Sequence, residues 1–230
     1  MISEGASGRD LRSPEQRFGV RVQNKSATTL QAEVMRRERQ TLDSAFESLA
    51  RSESVPRAAS VICAARRKFL LGQGRSAAFA TLLRSDLTAG VSNVFLVDDR
   101  SLEVSDVLSD VRQTDVLIAI SLRRYRRETV EVGRRFAEAG GQLVVITDSD
   151  SAPLASVATA LIAVDTDSAS FADSPTALAA TCLLLSTLVT ARAKGAQRRL
   201  SLREHVFDEL GWYGAVQSEQ NSDQSAEGAA

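Results

Sequence analysis

Five short apolar runs, each followed by turn residues, constrain this chain more than anything else in it. The runs are Phe69–Leu71, Val94–Val97, Val116–Ile120, Leu143–Ile146 and Leu161–Val164. Between them lie helical patterns over Ala77–Thr88, Leu102–Val111 and Thr129–Ala139, with a weaker one over Pro153–Ala158. Runs without polar alternation suit strands buried on both faces, and strands that alternate with helices pair in parallel through crossovers. The expected architecture is a three-layer α/β/α sandwich around a five-stranded parallel sheet, with helices added at both ends.

At 230 residues the chain has room for one such domain. The apolar spacing of Leu30, Val34, Leu42, Phe46 and Leu49 predicts an amphipathic helix, and Ser54 with Pro56 opens another. Ser174 and Pro175 open a long helix through Ala193 that is apolar on most of its circumference, so part of it is expected to meet a second copy of the chain. A final amphipathic helix spans Leu202–Leu210. The division expected is a flexible tail over 1–29, one domain over 30–213 made of leading helices (30–66), the sheet core (67–165) and closing helices (174–213), and a disordered tail over 214–230.

Net charge is −1, which supplies no global field for nucleic acid. Cys63 and Cys182 stand far apart in apolar helical settings without metal-ligand spacing, so both read as buried, reduced thiols of a cytoplasmic protein. No signal peptide, membrane anchor, metal site or cofactor is expected.

In an open parallel sheet, ligands bind beyond the carboxyl ends of the strands. After the first run comes Gly72-Gln73-Gly74-Arg75-Ser76, a tight turn opening a helix, which reads as an anion site or as a plain strand-to-helix turn of an α/β core. After the third comes Ser121-Leu122-Arg123-Arg124-Tyr125-Arg126-Arg127-Glu128-Thr129, and after the fourth Thr147-Asp148-Ser149. Arginines near a helix start are electrostatically awkward unless an anion sits among them. The same cluster also fits a solvated face, ion pairs to a partner subunit, or a nucleic-acid contact.

Four of these segments carry a resemblance. Gly72-Gln73-Gly74-Arg75-Ser76, the Val116–Ser121 strand with its Arg124-Tyr125 and Glu128-Thr129-Val130, Ile146-Thr147-Asp148-Ser149 with Pro153-Leu154-Ala155, and Phe171 with Asp173-Ser174 together resemble the sugar isomerase (SIS) domain. More narrowly, the span Leu30–Trp212 is similar to the effector domain of RpiR-type transcriptional regulators. The resemblance implies a flavodoxin-like sheet that dimerises and binds a phosphosugar. Carried over by position, Gly72, Gly74, Ser76, Ser121, Thr147 and Ser149 hold the ligand, joined by Arg124 and Arg127 from the arginine cluster. The commoner family form Ser-x-Ser-Gly-x-Thr is replaced here by Ser121-Leu122-Arg123-Arg124-Tyr125-Arg126, which removes a glycine and two hydroxyls.

The resemblance also implies an upstream helix-turn-helix, for which the ~30 residues before Leu30 offer no core. The expected role is therefore a phosphosugar sensor that forms a homodimer or assembles with a DNA-binding relative and does not itself bind DNA. Two other readings stand beside it. A sugar-phosphate aldose/ketose isomerase would use Glu128 as its base, since the one histidine, His205, lies in a charged helix. A nucleotide-binding fold of the NAD(P) type would use Gly72-x-Gly74-x-x-Ala77 with Asp98 or Asp99.

Overall fold

The computed structural model describes residues 12–98 and 102–212. Three helices precede the sheet: α1 (Pro14–Arg21), α2 (Ala27–Ala50) and α3 (Ser54–Ala64). Then follow β1 (Arg67–Gly72), α4 (Ser76–Gly90), β2 (Val94–Leu96), α5 (Val104–Ser109), β3 (Asp115–Ser121), α6 (Arg127–Glu138), β4 (Gln142–Thr147) and β5 (Ala160–Ala163). Two helices, α7 (Thr176–Arg192) and α8 (Ala196–Glu209), close the chain. All five strands are parallel, in the order β2-β1-β3-β4-β5. This is a flavodoxin-like order, and it reverses direction between β1 and β3.

The apolar runs form strands because both sheet faces are covered. Leu70, Ile118, Ile120, Val144 and Ile146 pack with α3, α4, α7 and the end of α2, while Phe69, Leu71, Leu117, Ala119 and Val145 pack with α5 and α6. Phe136 of α6 meets Phe69 edge-on at 6.0 Å, with no exposed surface of its own. Each such aromatic contributes roughly 2–3 kcal/mol of burial.

Several expectations are corrected. The tail expected over 1–29 contains ordered helix, because Ser13 and Gln16 form a reciprocal capping box around Pro14, and Ser26 caps α2 through the Thr29 N–H. Residues 1–11 and 213–230 lie outside the described residues. The helices before β1 join the core: α2 buries Ala45 and Leu49 there, and α3 buries Val55, Ala58, Ala59 and Ile62. Pro153–Ala158 yields one 3-10 turn, Ala155–Val157, since Ser149, Ala152 and Leu154 close successive tight turns that leave no room for an α-helix.

One side of α7 packs between α3 and α4, its buried Thr181 and Ser186 donate back to the carbonyls of Ala177 and Leu183, and Leu183 stands out 63% exposed. Helix α8 begins earlier than its apolar spacing predicts and buries only Ala196, leaving Leu202, Val206 and Leu210 exposed. Both cysteines are free thiols. Among the described residues no single helix is long and apolar enough to cross a membrane.

Candidate functional site

A cavity of about 480 Å³ opens beyond the carboxyl ends of β1 and β3, where the strand order reverses. Its floor is the β1–α4 turn. A Cβ on Gly72 would stand 2.5 Å from the carbonyl oxygen of Ser76, so only glycine lets the chain reverse here. Gly74 takes φ +60°, and the Arg126 guanidinium lies over it, 3.1 Å from where a Cβ would be. Ser76 is the first residue of α4 and not its cap; the cap position is Arg75, which makes no side-chain capping bond. The Ser76 and Ala77 N–H groups close onto the carbonyls of Gln73 and Gly74. Thr129 donates its hydroxyl to Gln73 Oε1 at 2.9 Å, tying the start of α6 to this turn.

The wall from β3 carries the most informative atom. Ser121 is 4% exposed, and its Oγ has no hydrogen-bond partner although it lines the cavity. Leaving a buried hydroxyl unpaired costs about 1–3 kcal/mol. Asp148, itself buried, shapes the segment that follows. Its Oδ1 accepts the Tyr125 hydroxyl at 2.9 Å and the Arg123 N–H at 3.3 Å. Asp148 thereby ties the β3–α6 loop to the end of β4.

The third wall comes from the α1 region and from the loop before α7. Arg12 and Arg17 reach in from the α1 side, and Phe171, Asp173 and Ser174 from the loop before α7. Asp173 Oδ1 accepts from Arg17 and, at 3.0 Å, from Arg123, while its carbonyl accepts from Arg75 at 3.1 Å. Glu38 of α2 anchors this loop by accepting the Ser174 and Thr176 hydroxyls at 2.5 Å each. Among the described residues, Arg12, Arg17, Arg75, Arg123, Arg124 and Arg126 line the cavity together with the carboxylate of Asp173.

The structure thus brings Gly74, Ser76, Ser121 and Arg124 together around one space, with Gly72 shaping its floor. It does not bring the rest of the expected set there. Thr147 is fully buried and its hydroxyl points at Asp148, while Ser149 is spent on Ser151. Arg127 and Glu128 are exposed on the first turn of α6, outside the cavity lining. His205 is exposed on α8 and pairs with Glu209, and Asp98 is bridged to Leu102 away from the cavity; Asp99 lies outside the described residues. Arg12 and Arg17 were not legible as site residues, although Ser13-Pro14-Glu15-Gln16 is a capping-box pattern that marks a helix start.

Residues 61–191 match the SIS domain family. No curated protein matches the chain. Among solved structures, the sugar isomerase domain of the RpiR transcription factor from Sphaerobacter thermophilus is similar with a TM-score of 0.71 at 26% identity, over 78% of this chain and 98% of that one. The Vibrio vulnificus NanR protein, solved with ManNAc-6P, has a TM-score of 0.64 at 16% identity, over 77% of this chain and 69% of that one. A Methanococcus jannaschii protein inferred to be a 3-hexulose-6-phosphate isomerase has a TM-score of 0.56 at 16% identity, over 78% and 96%. The last two likenesses are of fold.

Proposed function

This chain belongs to the SIS domain family, and from that premise we propose that it binds a phosphosugar at the β1/β3 rim and works as a sensor of the RpiR-regulator kind. The observation that carries this reading is the unpartnered, buried Ser121 hydroxyl in a cavity ringed by guanidinium groups. A phosphate ester supplies an acceptor for the hydroxyl and a negative charge that suits a guanidinium-lined space. The neighbour solved with ManNAc-6P supports the same choice of ligand class.

Binding without turnover is favoured over isomerisation by the cavity's titratable groups. Moving a proton between adjacent carbons requires a base within reach of the sugar. Among the described residues the cavity's one carboxylate, Asp173, is held by two guanidiniums, and Glu128 lies outside the lining. The dinucleotide reading is weaker still, because Asp98 does not line the cavity.

As a sensor the protein acts in the cytoplasm, where phosphosugars are made, by pairing with a second copy or with a DNA-binding relative. The exposed Leu183 of α7 and the outward apolar residues of α8 support such pairing. A thermal-shift panel of hexose and amino-hexose phosphates, alongside NAD(H), tests the ligand. One sugar phosphate should stabilise the protein by about 2.7 kcal/mol at a hundred times its Kd, with no aldose–ketose interconversion by wild type or Glu128→Gln. Stabilisation by NAD(H) alone, or turnover abolished in Glu128→Gln, would reverse the assignment. Light scattering at micromolar concentration tests the pairing, and a monomer would refute it.

A further inference from the structure

Helix α1 adds nothing to the apolar core. Of its eight residues only Arg17 is buried, neither apolar cluster includes any of them, and Phe18 and Val20 stay 47% and 59% exposed. A helix this short does not persist in water without tertiary contacts. The contacts that dock it include Arg17 on the carboxylate of Asp173, Arg21 on the carbonyls of Ser168 and Ser170, and Phe18 edge-on to Phe171 at 6.4 Å. These all end on the loop before α7, whose Phe171, Ala172 and Asp173 line the cavity. Helix α1 is thus a wall of the cavity held to another wall, and it can release without disturbing the sheet.

Among the described residues, two buried polar side-chain atoms have no hydrogen-bond partner, and both belong to residues that line this cavity. One is the Ser121 hydroxyl, on the central strand β3, which is paired on both sides and fixed. The other is Nε of Arg17, on α1. With α1 docked, both atoms are closed off from water and want an acceptor. A ligand that offers an oxygen to each joins the fixed wall to the detachable one.

We propose, resting on the phosphosugar reading above, that α1 is a lid which the bound sugar phosphate locks in place through an acceptor oxygen on Arg17 Nε. The ligand enters with α1 released and is held with α1 docked, so occupancy of the cavity is read outside it as order over residues 14–21. The coupling is reciprocal: what loosens α1 weakens the ligand.

Hydrogen exchange on the full chain tests this with fructose 6-phosphate, glucosamine 6-phosphate or ManNAc-6P, whichever calorimetry shows to bind, at about a hundred times its Kd. A ligand confined to the docked state suppresses release of α1 about a hundredfold at that concentration. Amides 17–21 should therefore exchange about tenfold more slowly or better, while α8, which buries only Ala196, is unchanged. Arg17→Lys, which keeps a charge for Asp173 and lacks the Nε–H, should bind about tenfold more weakly. So should Val20→Pro, which breaks α1 from an exposed position outside the lining. Binding with less slowing of α1, equal slowing of α8, or unchanged affinity in either variant would overturn the lid and leave phosphosugar binding standing. If a variant fails to fold, the wild-type exchange comparison decides. If none of the compounds binds, the phosphosugar reading itself falls, and the lid with it.

Discussion

The α-carbon of Gly72 faces the carbonyl oxygen of Ser76 so closely that a methyl group there would sit 2.5 Å from it. The obstructing atom belongs to the backbone of α4 and cannot swing aside. Gly72→Ala must therefore shift the turn or the helix, at a cost of about 1–3 kcal/mol. For a domain of this size that lowers the melting temperature by roughly 2–12 °C, using 2–4 °C per kcal/mol. The same variant should lose sugar-phosphate binding in calorimetry. A Gly72→Ala protein with unchanged melting and affinity would show that the turn is not rigid.

Ser121→Ala separates ligand binding from stability. The hydroxyl has no partner to lose in the free protein, so thermal unfolding should be unchanged or slightly higher. Affinity for the ligand should drop about tenfold, the effect of one charge-assisted hydrogen bond. A marked loss of stability with unchanged affinity would assign Ser121 to the scaffold.

Glu38 sits on α2, yet what it organises is the loop that carries Asp173. Its carboxylate holds the hydroxyls of Ser174 and Thr176, so Glu38→Ala leaves a buried serine short of its acceptor. The expected loss is about 1.5–3 kcal/mol. Hydrogen exchange should quicken across residues 168–176 while β3 and β4 keep their protection. Uniform protection in the variant would mean that the loop is held by other contacts.

Cys182 faces the core from α7, and burial pushes its thiol up to about 12, helped by the nearby Asp86 carboxylate. The folded state therefore keeps a proton that the unfolded chain releases above about 9, its ordinary value. This thiol's contribution to stability is full below that pH and is lost as pH rises toward the folded value. At pH 8 a disulfide reagent should leave Cys182 unmodified for hours in the native protein and label it within seconds in guanidinium. Rapid native labelling of Cys182 would show that α7 opens readily.

The sheet could be read from the sequence because its strands are buried on both faces, which writes them as unbroken apolar runs such as Val116–Ile120 and Leu143–Ile146. Ser76 and Ser121 were legible for a related reason: they directly follow strands that meet where the sheet order reverses. Thr147 passed the same test and failed in the fold. It pairs in register with Ser121, but the neighbouring Asp148 takes its hydroxyl. Helix α1 was hidden because it buries a single side chain, Arg17, through an ion pair to Asp173, 156 residues away. No local periodicity encodes a contact of that range. The arginine cluster was visible as composition, whereas its division into Arg123, Arg124 and Arg126 at the cavity and Arg127 outside depends on the helical turn at which α6 begins.

Helix α1 also matters to anyone trimming the gene. A fragment opened at Leu30, where the apolar periodicity starts, would retain every strand and every hydroxyl of the rim while discarding Arg12 and Arg17, two of the arginines that line the cavity. Affinity measured on that fragment would describe a rim stripped of the wall that helix α1 supplies.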